Sequence, residues 1–264
     1  MGWRVLEWLI WSAPASEILM FMHAADLYDE TRQRVVGLAQ GLDPALPVPA
    51  CPGWTVRDVV AHLVGLAADV TTSRVDGYAG AAWTARQVAE RSSCEMSDLF
   101  SEWERVLPQF LAVNRDLAAS DLPDTIDHVL GPVPKTSFES AFHVDLLHHE
   151  HDLLGAAGRP RRDPLPADVA AMRSQLTNVR LRFAADGLAT LRLAPTDADR
   201  AWQIGTGTPA ASVSARVIDV LRSFGGRRTL EEIRSFDWAG QTDGMAEHLV
   251  LPFFQTPLAP IPGG

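Results

Sequence analysis

Three of the eight histidines fall within HHEH, residues 148–151, and His143 stands just upstream. On a helix, side chains four apart share a face with Cβ atoms about 6 Å apart, so Asp145 and His149 can close on one cation, and so can His148 and Asp152. Spacing alone leaves both pairs open. The first shares a stripe with Phe138, Phe142, Leu153 and Ala156, which turns it toward a packed interior where an unpaired carboxylate would be costly and would call for a cation. His148 and Asp152 lie off that stripe, as a supporting pair or an exposed ion pair, while His143 and His151 line another flank with Leu147 and Leu154. His62 is the other polar residue out of place, within the apolar run VVAHLVG. Taken singly it reads as a hydrogen-bonded core histidine. Taken with Asp145 and His149 it completes two imidazoles and a carboxylate, a set that suits zinc and some other first-row ions and leaves coordination positions open for water or substrate.

These residues need helices to bring them together. A first helix is expected from about Ala24 to Ala39, ending before Gly41 and the prolines at 44, 47, 49 and 52. A second begins after Trp54, with Thr55 as cap and Asp58 in the capping-box position, and carries Val59, Val60, Leu63, Leu66 and Val70 on one face. A third covers residues 97–117, where Pro108 should kink it, and a fourth runs from about Ser137 to Ala157, closed by Gly158 and Pro160. Four such helices make a bundle over residues 23–160. Beyond a linker at 161–166, the alternation in NVRLRFAADGLATLRL reads as a hairpin turning at Asp186-Gly187, after a short helix at 167–176. A third strand follows, and then Ser212–Phe224 passes from strand to helix. Residues 165–264 therefore read as a small α+β domain behind the bundle.

Composition narrows the partners. A net charge of −10 and a single lysine, Lys135, give no clustered cations for phosphate, which argues against nucleic acid. The arginine-rich, lysine-poor usage suggests a genome of high GC content. Two cysteines, Cys51 and Cys94, make no disulfide framework, so a reducing cytoplasm is expected. The apolar opening, MGWRVLEWLIWSAPASEILMFM, contains Glu7 and Glu17 and is too broken to span a bilayer. It reads as an N-terminal extension of residues 1–22 rather than a signal peptide or membrane anchor.

CPGWTVRDVVAHLVG, residues 51–65, and HEHDLLGAAGRP, residues 149–160, resemble the two signature segments of the mycothiol-dependent, maleylpyruvate isomerase-like metalloenzymes, a branch of the DinB-like helical bundles. The resemblance covers roughly residues 24–240 and implies a metal held by His62, Asp145 and His149, with Asp145 standing where the family more often has the longer Glu. It also implies chemistry with mycothiol, the low-molecular-weight thiol of actinobacteria. A free thiol has a pKa near ~8.5 and is mostly protonated at neutral pH, whereas a metal-bound thiol is deprotonated. Such an enzyme would act as a cis-trans isomerase or thiol S-transferase on a small electrophile. Arg74 and Arg86 are candidates for holding the thiol cofactor, and Arg227 and Arg228, in GGRR, for holding a substrate carboxylate. Cys51 and Trp54 read as structural, in a loop and in the core. Two rivals stand beside this reading: a metal enzyme that activates water or a carbonyl without thiol, and a non-catalytic small-molecule-binding module. The oligomeric state is open.

Overall fold

In the computed structural model, which describes residues 23–128, 131–159 and 162–262, the first helix, α1 (Ala24–Ala39), is capped by His23, whose Nδ1 accepts the Ala25 N–H at 3.1 Å. Residues 1–22, with the extension expected there, lie outside the described residues. Helix α2 (Val56–Thr71) starts with the expected capping box: Thr55 accepts the Asp58 N–H, and Asp58 Oδ2 accepts the Thr55 N–H at 3.0 Å. Two of the donors that a helix start leaves unpaired are thereby satisfied. Val59, Val60, Ala61, Leu63, Val64, Leu66 and Ala67 are all buried, so α2 is apolar nearly all round and runs through the middle of the bundle.

A helix that the sequence reading passed over follows, α3 (Ala81–Glu90), with Trp83 and Gln87 on its buried face. Helix α4 (Met96–Arg115) turns Leu99, Trp103, Val106 and Phe110 inward and is continuous through Pro108. An antiparallel pair, β1 (Thr125–His128) and β2 (Gly131–Pro134), leads into a 3-10 turn over Lys135–Phe138 and then α5 (Ala141–Ala156). The helix expected from Ser137 thus begins later, because the chain around Phe138 takes the tighter turn. Helix α2 packs on α3 and α4, and α1 on α4 and α5. The core joins Tyr28, Val60, Leu63, Trp103, Phe110, Phe142 and Leu146. Glu150 on α5 braces that helix to α1 by accepting from Arg34 Nε at 2.7 Å and Nη2 at 2.9 Å.

The described chain divides into two compact units, one carrying residues 23–159 and the other 162–260. The second opens on α6 (Pro166–Ala185), and here the sequence expectation needs correction: residues 178–185 are helical, not the first arm of a hairpin. Met172, Leu176, Val179 and Phe183 are buried on one helical face, whereas Leu181, which a two-residue period would also bury, is 65% exposed. Asp186 caps the helix and Gly187, at φ +65°, takes the left-handed position beyond it. A four-stranded sheet follows in the order β4 (Trp202–Ile204), β3 (Leu191–Leu193), β5 (Ala211–Ser214), β6 (Asp237–Gly240), antiparallel except where β3 meets β5. Three helices complete the unit, α7 (Val217–Phe224), α8 (Leu230–Arg234) and α9 (Met245–His248). The architecture is α+β, a four-helix bundle with one added short helix followed by a small mixed unit. Among the described residues no helix is long and apolar enough to cross a membrane.

Candidate metal centre

Helices α2 and α5 bring three donors together. His62 Nε2 lies 3.3 Å from Asp145 Oδ2, and His149 Nε2 lies 3.8 Å from Asp145 Oδ1. The ligand atoms of all three fall within 4.8 Å of one another. The two imidazoles meet nearly edge to face, with ring centroids 5.2 Å apart. Both histidines are buried, but the Asp145 side chain keeps 35% of its surface exposed. The premise that Asp145 sits in a dry interior is therefore corrected. Its position on α5 sets it at the edge of the cluster, so the carboxylate closes the site on the side that meets solvent.

Each imidazole is held through its other nitrogen. His149 Nδ1 lies 3.1 Å from Asp152 Oδ2, a carboxylate one turn further along the same helix and only 1% exposed. Asp152 is thus a buried support for His149 rather than an exposed ion-pair member, and His148 is buried as well. His62 Nδ1 lies 2.7 Å from Gln87 Oε1 on α3. Orientation of a ligating histidine by a hydrogen bond to its second nitrogen is a general feature of metal sites. Two imidazoles so held, with an adjacent carboxylate, fit a divalent ion of the zinc type.

A second donor set, Cys51, His149 and Asp152, shares His149. The Cys51 sulfur is 3.4 Å from Asp152 Oδ2 and 3.7 Å from His149 Nδ1. An ion there would have to displace the bond between Asp152 and His149, whereas the first set leaves both supporting bonds intact. Trp54 is only partly buried, and its ring packs against both imidazoles, 5.4 Å from His62 and 6.2 Å from His149 between centroids. It walls the site rather than filling the core.

The four arginine candidates make contacts of their own. Arg86 donates to Asp69 Oδ2 at 2.8 Å and Oδ1 at 3.2 Å, and the Asp69 hydrogen bonds hold its guanidinium above the ordinary arginine value. Arg74 pairs with Glu90 at 2.6 Å, and that bond holds the Glu90 carboxyl below its usual range. Arg228, 2% exposed, donates to Asp219 at 2.7 Å, and the partly buried Arg227 lies over the Phe254 ring while its Nη1 donates to the Gly225 carbonyl. Both belong to the second unit.

The sequence reading missed Gln87, Tyr28 and Tyr78. Burial raises both phenol pKa values, and the charge of Asp145 pushes each further up, so both hydroxyls stay protonated. The aromatic steps that could have found them are Tyr28 against Phe110, and Tyr78 against Phe138 and Phe142, at centroid distances of 4.4, 4.8 and 6.1 Å.

The class of protein is thus a helical bundle in which two histidines and a carboxylate from two helices form a candidate metal site, followed in the chain by a small α+β unit. Within it, residues 24–154 match the family model described as the mycothiol maleylpyruvate isomerase N-terminal domain, which places the bundle of this chain in that family. No curated protein matches the chain by sequence. Two solved structures share its fold. The crystal structure of the mycothiol-dependent maleylpyruvate isomerase is 15% identical, with a TM-score of 0.55, over 81% of this chain and 90% of that one. A histidine-to-alanine mutant of that isomerase is 14% identical, with a TM-score of 0.53 over the same shares.

Proposed function

We infer that the chain is a metal-dependent, mycothiol-linked enzyme, a cis-trans isomerase or thiol S-transferase acting on a small electrophile, with zinc held by His62, Asp145 and His149. One observation carries this reading: two buried imidazole nitrogens and a half-open carboxylate converge within 4.8 Å, with the rest of each ring already engaged. The match of the bundle to the mycothiol maleylpyruvate isomerase N-terminal domain supports the choice of mycothiol as the thiol. When bound, the ion would serve as a Lewis acid that keeps a thiol as thiolate, the form that attacks electrophiles. The chain's own part is to hold two neutral imidazoles in fixed orientation, to keep Asp145 on the open side, and to exclude water from the face covered by Trp54.

Arg227 and Arg228 are our candidates for a substrate carboxylate, which a guanidinium fork suits. Arg74 and Arg86 are bonded to Glu90 and Asp69, and we assign them to the framework of the site instead of to cofactor binding. A bacterial cytoplasm fits this chemistry.

The test is a turnover screen of metal-loaded and metal-stripped protein with mycothiol and small unsaturated acids. The reading expects activity that requires both metal and thiol, and that falls at least tenfold in Arg227→Met with metal content unchanged. Full turnover in thiol-free buffer would replace it with a metal-only hydrolase or isomerase, and absence of metal binding by the wild-type protein would remove the centre altogether.

A further inference from the structure

The bond from His62 to Gln87 is one link in a longer chain. Gln87 Nε2 lies 2.7 Å from Asp69 Oδ2, and Asp69 in turn accepts two bonds from Arg86. Asp69 and Gln87 are 2% and 0% exposed. The polarity of the chain follows from the chemistry of each group. A carboxylate paired with a guanidinium can only accept, so the end of the Gln87 amide that faces Asp69 must be the NH2. The end that faces His62 is then the carbonyl, which also can only accept. Asp145 Oδ2, which faces Nε2, also can only accept, but at 3.3 Å it is the longer contact against 2.7 Å to Gln87, so in the neutral ring the hydrogen is drawn to Nδ1 and the lone pair is left on Nε2.

The backbone makes room for this arrangement. Gly65 stands three residues after His62 on α2, and a Cβ placed there would lie 2.6 Å from Gln87 Cβ, 2.8 Å from Gln87 Cγ and 2.9 Å from Arg91 Nη1. Helix α3 can bring its glutamine to His62 only because that position has no side chain. The far end of α3 is fixed as well, since Arg91 donates to the Gln87 backbone carbonyl at 3.2 Å and to Glu102 at 2.6 Å.

We propose that Gln87, polarised by Asp69 and Arg86 and seated against Gly65, is a positioning residue that locks His62 in the Nδ1–H tautomer and so presents Nε2 as a metal-binding lone pair. The consequence for affinity rests on the metal reading given above; the tautomer itself does not. Gln87→Met preserves length and apolar volume but removes the acceptor. Asp69→Asn acts from one residue further away, because an amide at 69 can donate, which allows the Gln87 amide to turn over and offer its NH2 to His62.

The experiment uses the full chain with 15N-labelled histidine, metal-free, at a pH where the ring is neutral, with long-range 1H–15N correlation reporting the tautomer of His62. Wild-type protein is expected to show the Nδ1–H form. Gln87→Met should give a mixture and Asp69→Asn a shift toward Nε2–H, each with thermal unfolding still cooperative. Zinc titrations of the same proteins should show a 10- to 100-fold loss of affinity, the range for supporting partners of metal ligands. A packing role alone would lower the melting temperature and leave the tautomer unmoved. His62 remaining Nδ1–H in both variants would overturn the proposal, as would His62 found as Nε2–H in the wild-type protein. If wild-type protein binds no zinc at all, the metal reading fails while the tautomer arm still decides the role of Gln87.

Discussion

The two histidines of the site are supported in different ways. His149 takes its support from its own helix: Asp152 is three residues on, and its bond at 3.1 Å forms as soon as α5 forms. His62 takes its support from another helix, through Gln87 on α3, and that contact exists only because Gly65 lets the two helices close. One imidazole is thus oriented by a local, charged partner and the other by a distant, neutral one. The difference teaches where the site is vulnerable. The α5 half depends on the identity of two residues, while the α2 half depends on the packing of α3, so mutations that touch no ligand can still disturb it.

The largest effect should come from His149→Ala, which removes a ligand and the group that Asp152 holds. Stoichiometric zinc binding is expected to be lost while far-ultraviolet circular dichroism stays helical, as read by elemental analysis and spectroscopy of protein purified without chelators. Asp152→Leu should come next, with zinc affinity about 10- to 100-fold weaker but one ion still bound at saturation. Unchanged affinity in that variant would erase the local side of the comparison.

Gly65→Ala tests the other side. Alanine in a helix interior is favoured over glycine by about 1 kcal/mol, yet the added methyl meets Gln87 at a separation that real side chains do not tolerate. Overpacking of this kind costs about 1–3 kcal/mol. A lower melting temperature together with weaker zinc binding is expected, whereas a higher melting temperature with unchanged affinity would mean that α3 shifts freely and that the packing is not decisive. The smallest effect on the ion should come from His148→Ala. His148 is buried on α5 but belongs to neither donor set, so stability should fall while the zinc titration moves less than about twofold, a change of under about 0.4 kcal/mol.

The same contrast separates what the sequence made legible from what it did not. Asp145 and His149 could be paired because four residues on a helix place them on one face, and His62 stood out because an imidazole interrupts VVAHLVG. Asp152 was visible for the same reason, although its bond to His149, three residues back, was not the pairing that the four-residue spacing suggested. Gln87 was hidden because α3 itself was hidden: ten residues with only Trp83 and Gln87 facing inward carry little apolar periodicity. Residues 178–185 misled in the opposite sense, since Val179, Leu181 and Phe183 alternate as a strand would, while the longer spacing from Met172 governs the actual helix. The exposure of Asp145 was not legible at all, because the stripe gives its direction on α5 but not where the cluster meets solvent.

The most direct test of the centre is a crystal structure of the full chain soaked with zinc, with data collected on both sides of the zinc absorption edge. The account predicts one anomalous peak, within about 2.0–2.2 Å of His62 Nε2, an Asp145 carboxylate oxygen and His149 Nε2, with Gln87 and Asp152 still bonded to the opposite nitrogens. A peak on Cys51, Asp152 and His149 Nδ1, or no ordered peak between α2 and α5, would contradict it.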